Sequence, residues 1–114
     1  MDLAQRRRNC SLYVSGDDRE ALLQQLRDHF GGELDGQRLT IPDHRISIFS
    51  NSLNWCTEPE TYDFVSWRTV IEIDPAPSVD DSTVLRVVTD AVRLMRALGR
   101  QAVAVCDFDD EVSP

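Results

Sequence analysis

The last third of the chain constrains the fold most, because it predicts a strand, a helix and a second strand in close succession. Apolar residues alternate over 67–74, which is typical of a half-buried strand. A broad apolar stripe at helical spacing predicts a helix from about Asp81 to Leu98, and residues 101–108 predict the next strand. Such a helix buries its apolar stripe against a sheet, so the protein must contain both layers.

The first half of the chain predicts a strand, a helix and a pair of short strands. Residues 10–15 predict the first strand, and Asp17 followed by Glu20 resembles a capping box at the start of the helix. A glycine pair at 31–32 stops this helix, and residues 33–49 predict two short antiparallel strands. The predicted class is therefore α+β. We expect a ferredoxin-like β-α-β-β-β-α-β sandwich, with one sheet, two helices packed on one face and the other face partly open.

The length of the chain predicts a single domain, residues 1–114, with a real hydrophobic core. Within it we expect a flexible N-terminus over 1–9, a long functional loop over 50–66 and an acidic C-terminal tail over 109–114. No apolar run reaches the roughly 18 residues that a membrane-spanning helix needs. The first residues are basic without an apolar segment behind them, so we expect neither a signal peptide nor a membrane partner.

The formal net charge of −8 is unevenly distributed. Residues 1–50 carry eight acidic residues and seven arginines, whereas residues 51–114 carry twelve acidic residues and five arginines. Because nucleic-acid-binding surfaces are basic, we expect no nucleic-acid partner. An acidic surface attracts a basic protein at long range, although acidity also serves solubility alone.

The three cysteines, Cys10, Cys56 and Cys106, are far apart in the chain. They form no Cys-x-x-Cys pair and have no histidine at ligand spacing, so the sequence predicts neither a disulfide framework nor a zinc site. Cys106 ends the apolar run 102–106, and we interpret it as a small buried hydrophobic residue. Unpaired cysteines are typical of a reducing compartment, so we expect a cytoplasmic protein.

The sequence shows no catalytic constellation. Nothing in it brings Cys56 to a histidine, and Glu72 and Asp74 on one strand face are more simply solvated charges than an acid–base pair. The acidic run at 107–111 lacks the glycine and the loop length of a calcium-binding EF-hand. No glycine-rich phosphate loop follows a strand. We therefore expect no enzyme, no metal and no cofactor.

The loop over 50–66 combines aromatic and acidic side chains. Tyrosine and tryptophan dominate protein-interface hot spots because they bury a large area at low entropic cost. We interpret Trp55 and Tyr62 as exposed contact residues, whereas Phe64 and Trp67 fit better as core residues beneath the loop.

Three stretches in the second half of the chain carry a family resemblance. They are Asp63-Phe-Val-Ser-Trp67, Thr69-Val-Ile-Glu-Ile-Asp74 and, after an amphipathic helix, Ala102-Val-Ala-Val-Cys-Asp-Phe-Asp-Asp-Glu111. Together they resemble small bacterial immunity proteins of polymorphic toxin systems. In that family an aromatic lead precedes a Val/Ile-Glu-Ile strand, and a strand of the form Val-Ala-x-Cys-Asp-Phe-Glu-Asp closes the domain.

The resemblance implies a cytoplasmic antidote that binds a cognate toxin domain, often a basic nuclease, and blocks its active site or substrate groove. Carboxylates of the antidote would then steer and pair with basic toxin residues, while aromatic rings act as buried anchors. The expected partner-binding residues are Trp55, Glu58, Glu60, Tyr62, Asp63, Trp67, Glu72, Asp74, Asp107, Asp109, Asp110 and Glu111.

Three other interpretations stay open. The chain could be a small-molecule-binding or regulatory ferredoxin-like module, and a homodimer is compatible with that role. It could be an enzyme that uses Cys56 or the pair of Glu72 and Asp74. It could also be a structural subunit of a larger complex, although such a subunit would present an apolar interface.

Overall fold

The computed structural model describes residues 8–51 and 64–106. These residues form one antiparallel six-stranded sheet and two α-helices, an α+β arrangement that is compatible with a ferredoxin-like class. Most of the predicted loop over 50–66 and the whole predicted tail over 109–114 lie outside the described residues. No helix within the two described stretches is long and apolar enough to cross a membrane.

The elements follow the order strand, helix, four strands, helix, strand. The strands are β1 (Cys10–Val14), β2 (Glu33–Asp35), β3 (Arg38–Ile41), β4 (His44–Ser50), β5 (Thr69–Pro75) and β6 (Ala102–Cys106). The helices are α1 (Arg19–Phe30) and α2 (Asp81–Ala97), and a short 3₁₀ turn spans Phe64–Ser66. The sheet therefore has one strand more than predicted. The extra strand arises because the chain turns back at Gly36, at φ 63°, and pairs β2 with β3.

The order of strands across the sheet is β2-β3-β4-β5-β1-β6. The first strand of the chain thus lies between β5 and the last strand, β6. Leu12 of β1 is directly opposite Ile71 of β5, and Ile71 is opposite Ile48 of β4 on its other side. This register gives one face of the sheet a continuous apolar surface, because side chains alternate between the two faces along each strand.

Both helices cover that apolar face. Helix α1 lies over β3 and β4, and helix α2 lies over β1 and β6. The buried side chains of both helices join those of the sheet in a single cluster; its fully buried members include Leu12, Leu26, Ile46, Ile71, Val84, Val88 and Met95. Each such side chain contributes roughly 1.5–3 kcal/mol by leaving water. The expected placement of two helices on one face is confirmed.

The two helices begin in different ways. Helix α2 has Asp80 as its N-cap, and its side chain accepts a hydrogen bond from the Thr83 amide. Helix α1 has Asp18 as its N-cap and no side-chain capping bond, so the predicted capping box at Asp17 was wrong. The physical reason is competition, because the Asp18 carboxylate accepts a hydrogen bond from Arg100.

The expectation that the cysteines are unpaired was also wrong, because Cys10 and Cys106 form a disulfide. The two residues are separated by 96 positions in the chain, but β1 and β6 pair in a register that places them directly opposite each other. Both cysteines are buried. Spacing along the sequence contains no information about this register, which only the folded sheet supplies.

The predicted flexible N-terminus over 1–9 is described only at Arg8 and Asn9. Arg8 is held firmly: its guanidinium donates to the carbonyls of Ala76, Pro77 and Val79 and to the Asp81 carboxylate, at 2.9 Å for the last. These contacts fasten the chain ahead of β1 to the connection between β5 and α2.

Candidate protein interface

The face of the sheet opposite the helices is the candidate interface, and we call it the open face. Its side chains are half-buried or exposed, with the exception of the small Ser47. Cross-strand register arranges them in three rows that run across the strands. The apolar row is Val103, Tyr13, Val70 and Phe49; the central row is Val105, Ser11, Glu72, Ser47 and Arg38; the charged row is Asp74, Arg45, Thr40 and Glu33.

The apolar row exposes hydrophobic surface to solvent. Phe49 of β4 is 42% exposed, and Val105 of the central row, on the edge strand β6, is 40% exposed. The Tyr13 ring packs edge-to-face against Phe64, with 5.0 Å between the ring centroids. Aromatic and β-branched side chains in one contiguous, partly exposed row are suited to burial against another macromolecule.

The two other rows bring carboxylates next to this apolar row. Glu72 lies between Ser11 of β1 and Ser47 of β4, so its immediate cross-strand neighbours are uncharged. Asp74 is directly opposite Arg45. The expectation that Glu72 and Asp74 share a face is confirmed, but this face also carries arginines. It therefore has mixed charge rather than purely acidic charge.

Trp67 does not belong to the open surface. It is 5% exposed, and its backbone amide donates to the Phe64 carbonyl at 3.1 Å. Its carbonyl accepts from the Asn51 side chain at 2.6 Å, and the Asn51 amide donates to the Arg68 carbonyl at 2.9 Å. Trp67 and Asn51 thereby join the two ends of the predicted functional loop, and Trp67 acts as a buried support rather than a contact residue.

Most of the other expected partner-binding residues lie outside the described part of the chain. Glu72 and Asp74 are the two that the structure places on an accessible surface. The remaining nine are Trp55, Glu58, Glu60, Tyr62, Asp63, Asp107, Asp109, Asp110 and Glu111.

A cleft of about 660 Å³ is a second concave feature, between the start of α1 and the turn that joins β2 to β3. Asp17, Glu20, Gln37 and Ile48 are among the residues that line it. The Asp17 carboxylate lies 3.7 Å from the Arg68 guanidinium. The lining is thus partly acidic, and two of its carboxylates, those of Asp17 and Asp18, are engaged by arginines.

The described residues contain no arrangement for nucleophilic or metal-dependent catalysis. Cys10 and Cys106 are joined as a disulfide, and His29 is exposed on α1 beside Phe30. His44 is buried on the core face, where Nδ1 lies 3.4 Å from the Pro42 carbonyl and Nε2 meets no hydrogen-bond partner. Within 8–51 and 64–106, no three histidine, cysteine or acidic side chains are grouped to hold a metal ion.

Sequence reasoning missed the half-buried Tyr13, the exposed Phe49 and the two arginines Arg38 and Arg45 of the open face. Their signal was the two-residue alternation of their strands, which places each of them opposite the buried residues on either side of it. That signal shows which residues share a face within one strand. It does not show that four strands align their apolar residues in one row.

Comparison of the chain with protein-family models, with curated proteins and with solved structures found no match. No relative therefore assigns a role to the open face or to the cleft. The features that bear on function are the geometry and chemistry of these two surfaces and the resemblance carried by residues 63–111.

Proposed function

We propose that this protein is an immunity protein that binds and neutralises a cognate bacterial toxin domain, and that this domain is a basic, nuclease-type toxin. The observation that carries the proposal is the open face, where an exposed apolar row adjoins Glu72 and Asp74. Apolar and aromatic side chains supply the binding energy of such interfaces, and nearby carboxylates attract and orient a basic partner. In this role the protein acts by occlusion and is not an enzyme.

Two described residues next to the undescribed stretches, Phe64 and Cys106, connect to the open face. Phe64 follows directly on Asp63 and packs against Tyr13 of the apolar row. Cys106 precedes Asp107 and ends β6, the strand that contributes Val103 and Val105 to the open face. The expected contact residues Asp63 and Asp107 are thus next in the chain to residues that connect to the open face.

The fold also belongs to the proposal at its finer level. Without the hairpin of β2 and β3, the remaining elements follow the order β-α-β-β-α-β, with the strands arranged β4-β5-β1-β6. We infer a ferredoxin-like domain enlarged at one edge by that hairpin. The enlargement widens the open face on the side of Arg38 and Glu33.

The cytoplasmic location is part of the proposal, and the disulfide stands against it. Disulfides persist mainly in oxidising compartments, so the Cys10–Cys106 bond removes the cysteine argument for the cytoplasm. Alkylation of thiols at the moment of cell lysis decides this point. A cytoplasmic protein would have Cys10 and Cys106 alkylated in cells, whereas a protected pair would place it in an oxidising compartment.

The proposal is tested by recovering the partner from the source organism with tagged protein, at low and at high salt. We expect one basic protein in stoichiometric amount, bound more tightly at low salt because screening weakens its attraction to the acidic surface. Glu72→Arg and Phe49→Ser should each reduce the recovery. Co-expression with the recovered protein should relieve its toxicity, and the two variants should relieve it less.

Glu20→Arg is the matched control for Glu72→Arg. Glu20 is exposed on α1, on the other side of the molecule, and both substitutions change the formal net charge from −8 to −6. The control should retain the partner. Equal binding by Glu72→Arg, Phe49→Ser and Glu20→Arg would show that the open face is not the interface, and the absence of any protein partner would overturn the antidote proposal.

The cleft at the start of α1 supports a second candidate, a small-molecule-binding or regulatory module. Its volume of about 660 Å³ is in the range of ligand sites. A thermal-shift screen against metabolites tests it. A compound that raises the melting temperature of the protein, and loses this effect in Gln37→Trp, would favour the module; Arg38→Trp on the open face is the control for an added ring.

A further inference from the structure

We propose that β6 is a dimerisation edge, at which two copies of this chain pair antiparallel about Ala104 and join their sheets into one. The inference rests on the free edge of the sheet and is independent of the toxin-binding role.

The two edges of the sheet differ in how they are protected. The β2 edge has three residues, of which Glu33 and Asp35 are charged and exposed. The β6 edge has five residues, Ala-Val-Ala-Val-Cys, with no charge and no proline. Short length, charge and proline are the devices that prevent edge-to-edge association, and β6 has none of them. Among residues 8–51 and 64–106, β6 pairs with β1 alone.

Three observations establish which backbone groups of β6 point away from β1. The Ser15 amide donates to the Gln101 carbonyl at 3.0 Å, so these two residues are a hydrogen-bonded pair of the β1–β6 ladder. In an antiparallel ladder, such pairs alternate with non-hydrogen-bonded pairs along each strand. Val103 and Val105 lie two and four residues after Gln101, so their backbone amides and carbonyls bond to β1. The Cα atoms of Cys10 and Cys106 are 4.0 Å apart, as in a closely spaced, non-hydrogen-bonded pair.

The third observation is the contact at Ala102. Its carbonyl accepts a hydrogen bond from the Arg96 side chain at 3.0 Å, which is consistent with a carbonyl that points away from β1. The amides and carbonyls of Ala102, Ala104 and Cys106 therefore face outward. A second strand can bond to them without disturbing the pairing of β6 with β1.

A second copy of β6 fits this edge under a two-fold axis perpendicular to the sheet at Ala104. The two Ala104 residues then exchange both of their hydrogen bonds, and the outward groups of Cys106 pair with those of Ala102 in the other copy. The Ala102 carbonyl can accept this bond as well as that from Arg96, because a carbonyl oxygen has two lone pairs.

The side chains at the seam are self-complementary in the same arrangement. Val103 of each copy lies opposite Val105 of the other, on the open face, where Val105 is 40% exposed in the single chain. The four valines extend the apolar row across the axis and bury one another. A partner with the same net charge of −8 is tolerated at this edge because β6 itself is uncharged.

The test measures the mass of the full chain in solution by sedimentation as a function of concentration. We expect the mass to double, and Val105→Lys to abolish the doubling, since an edge lysine opposes strand pairing. Val105→Thr, which keeps the branched shape without charge, should still dimerise. Phe49→Lys places the same charge on the open face but on an inner strand, so it should also dimerise.

Backbone amide exchange distinguishes this dimer from other occupants of the edge. With rising concentration, the amides of Ala104 and Cys106 should become protected, while those of Val103 and Val105 are protected throughout. Protection of all four in a monomer would show that another segment of the chain covers β6. A dimer that survives Val105→Lys but dissociates in Phe49→Lys would show that the open faces stack. Either result, or a monomer at every concentration, overturns the proposal.

Discussion

At the scale of single residues, Asp18 and Asp80 show how neighbouring groups decide the role of an aspartate at a helix start. The Asp80 carboxylate accepts from the Thr83 amide at 2.8 Å and from the Ser82 hydroxyl at 3.2 Å. The hydrogen bonds from Thr83, followed by that from Ser82, hold the pKa of Asp80 below its ordinary value. Asp18 occupies the same position on α1, but its carboxylate accepts a hydrogen bond from Arg100 instead of capping the helix.

The lowered pKa of Asp80 predicts a specific contribution to acid stability. Because the folded-state pKa is lower than the unfolded-state pKa, the ionised cap stabilises the protein at neutral pH, and this stabilisation is lost as the pH falls below about 4. Asp80→Asn retains a capping oxygen without a titrating group, so its unfolding free energy should depend less on pH in that range. Urea unfolding at several pH values measures the difference.

Asp80→Ala provides the contrast, because it removes both the charge and the capping acceptor. Its melting temperature at neutral pH should be lower than that of Asp80→Asn. Equal acid dependence in the parent protein and in Asp80→Asn would contradict the assignment of the lowered pKa to the cap.

At the scale of elements, the edge strand β6 depends on β1 for its attachment to the sheet. Strand β6 pairs only with β1 among the described residues, and the Cys10–Cys106 disulfide joins these two strands covalently. The bond closes a long segment of the chain, since its two cysteines are 96 positions apart in the sequence. A disulfide over such a segment reduces the conformational entropy of the unfolded chain substantially.

The disulfide therefore predicts a redox-dependent stability. The double substitution Cys10→Ala with Cys106→Ala should lower the unfolding free energy by about 2–5 kcal/mol, and reductant should lower that of the parent protein similarly. Denaturant unfolding with and without reductant measures both effects. The Cys56→Ser variant should keep the response to reductant, whereas the double variant should lose it. Three titratable thiols in unreduced, denatured protein would contradict the bond.

At the scale of the whole molecule, the protein is a two-layer structure with one covered and one open sheet face. Ile71 and Val70 are neighbours on β5, yet Ile71 is fully buried beneath the helices and Val70 is part of the apolar row on the open face. The asymmetry separates the source of stability from the surface that we propose for binding. Changes on one face should therefore affect stability, and changes on the other should affect association.

A pair of substitutions on β5 tests this separation. Ile71→Ala should destabilise the protein by about 2–5 kcal/mol, since it leaves a cavity in the core. Val70→Ala, on the adjacent residue, should cost less than about 1 kcal/mol, since its side chain is only partly buried. Denaturant unfolding of both variants gives the two values. Similar costs for the two would contradict the one-sided placement of the helices.

The amino-acid sequence by itself determined the features that depend on residues close together in the chain. The alternation of β5, the apolar stripe of α2 and the glycine pair after α1 predicted these elements and their inner faces, because strand and helix periods are local properties. The same alternation placed Glu72 and Asp74 together on the outer face. The number of strands was predicted less well, because the chain turns at Gly36 and forms two strands, β2 and β3, where one strand was predicted.

The tertiary structure decided what depends on distant partners. The place of β1 between β5 and β6 and the Cys10–Cys106 bond both follow from strand pairing and register. Register is fixed by the packing of the whole core, which no short stretch of sequence specifies. For the same reason the apolar row of Val103, Tyr13, Val70 and Phe49 exists only in the folded sheet, where four separate strands bring one residue each.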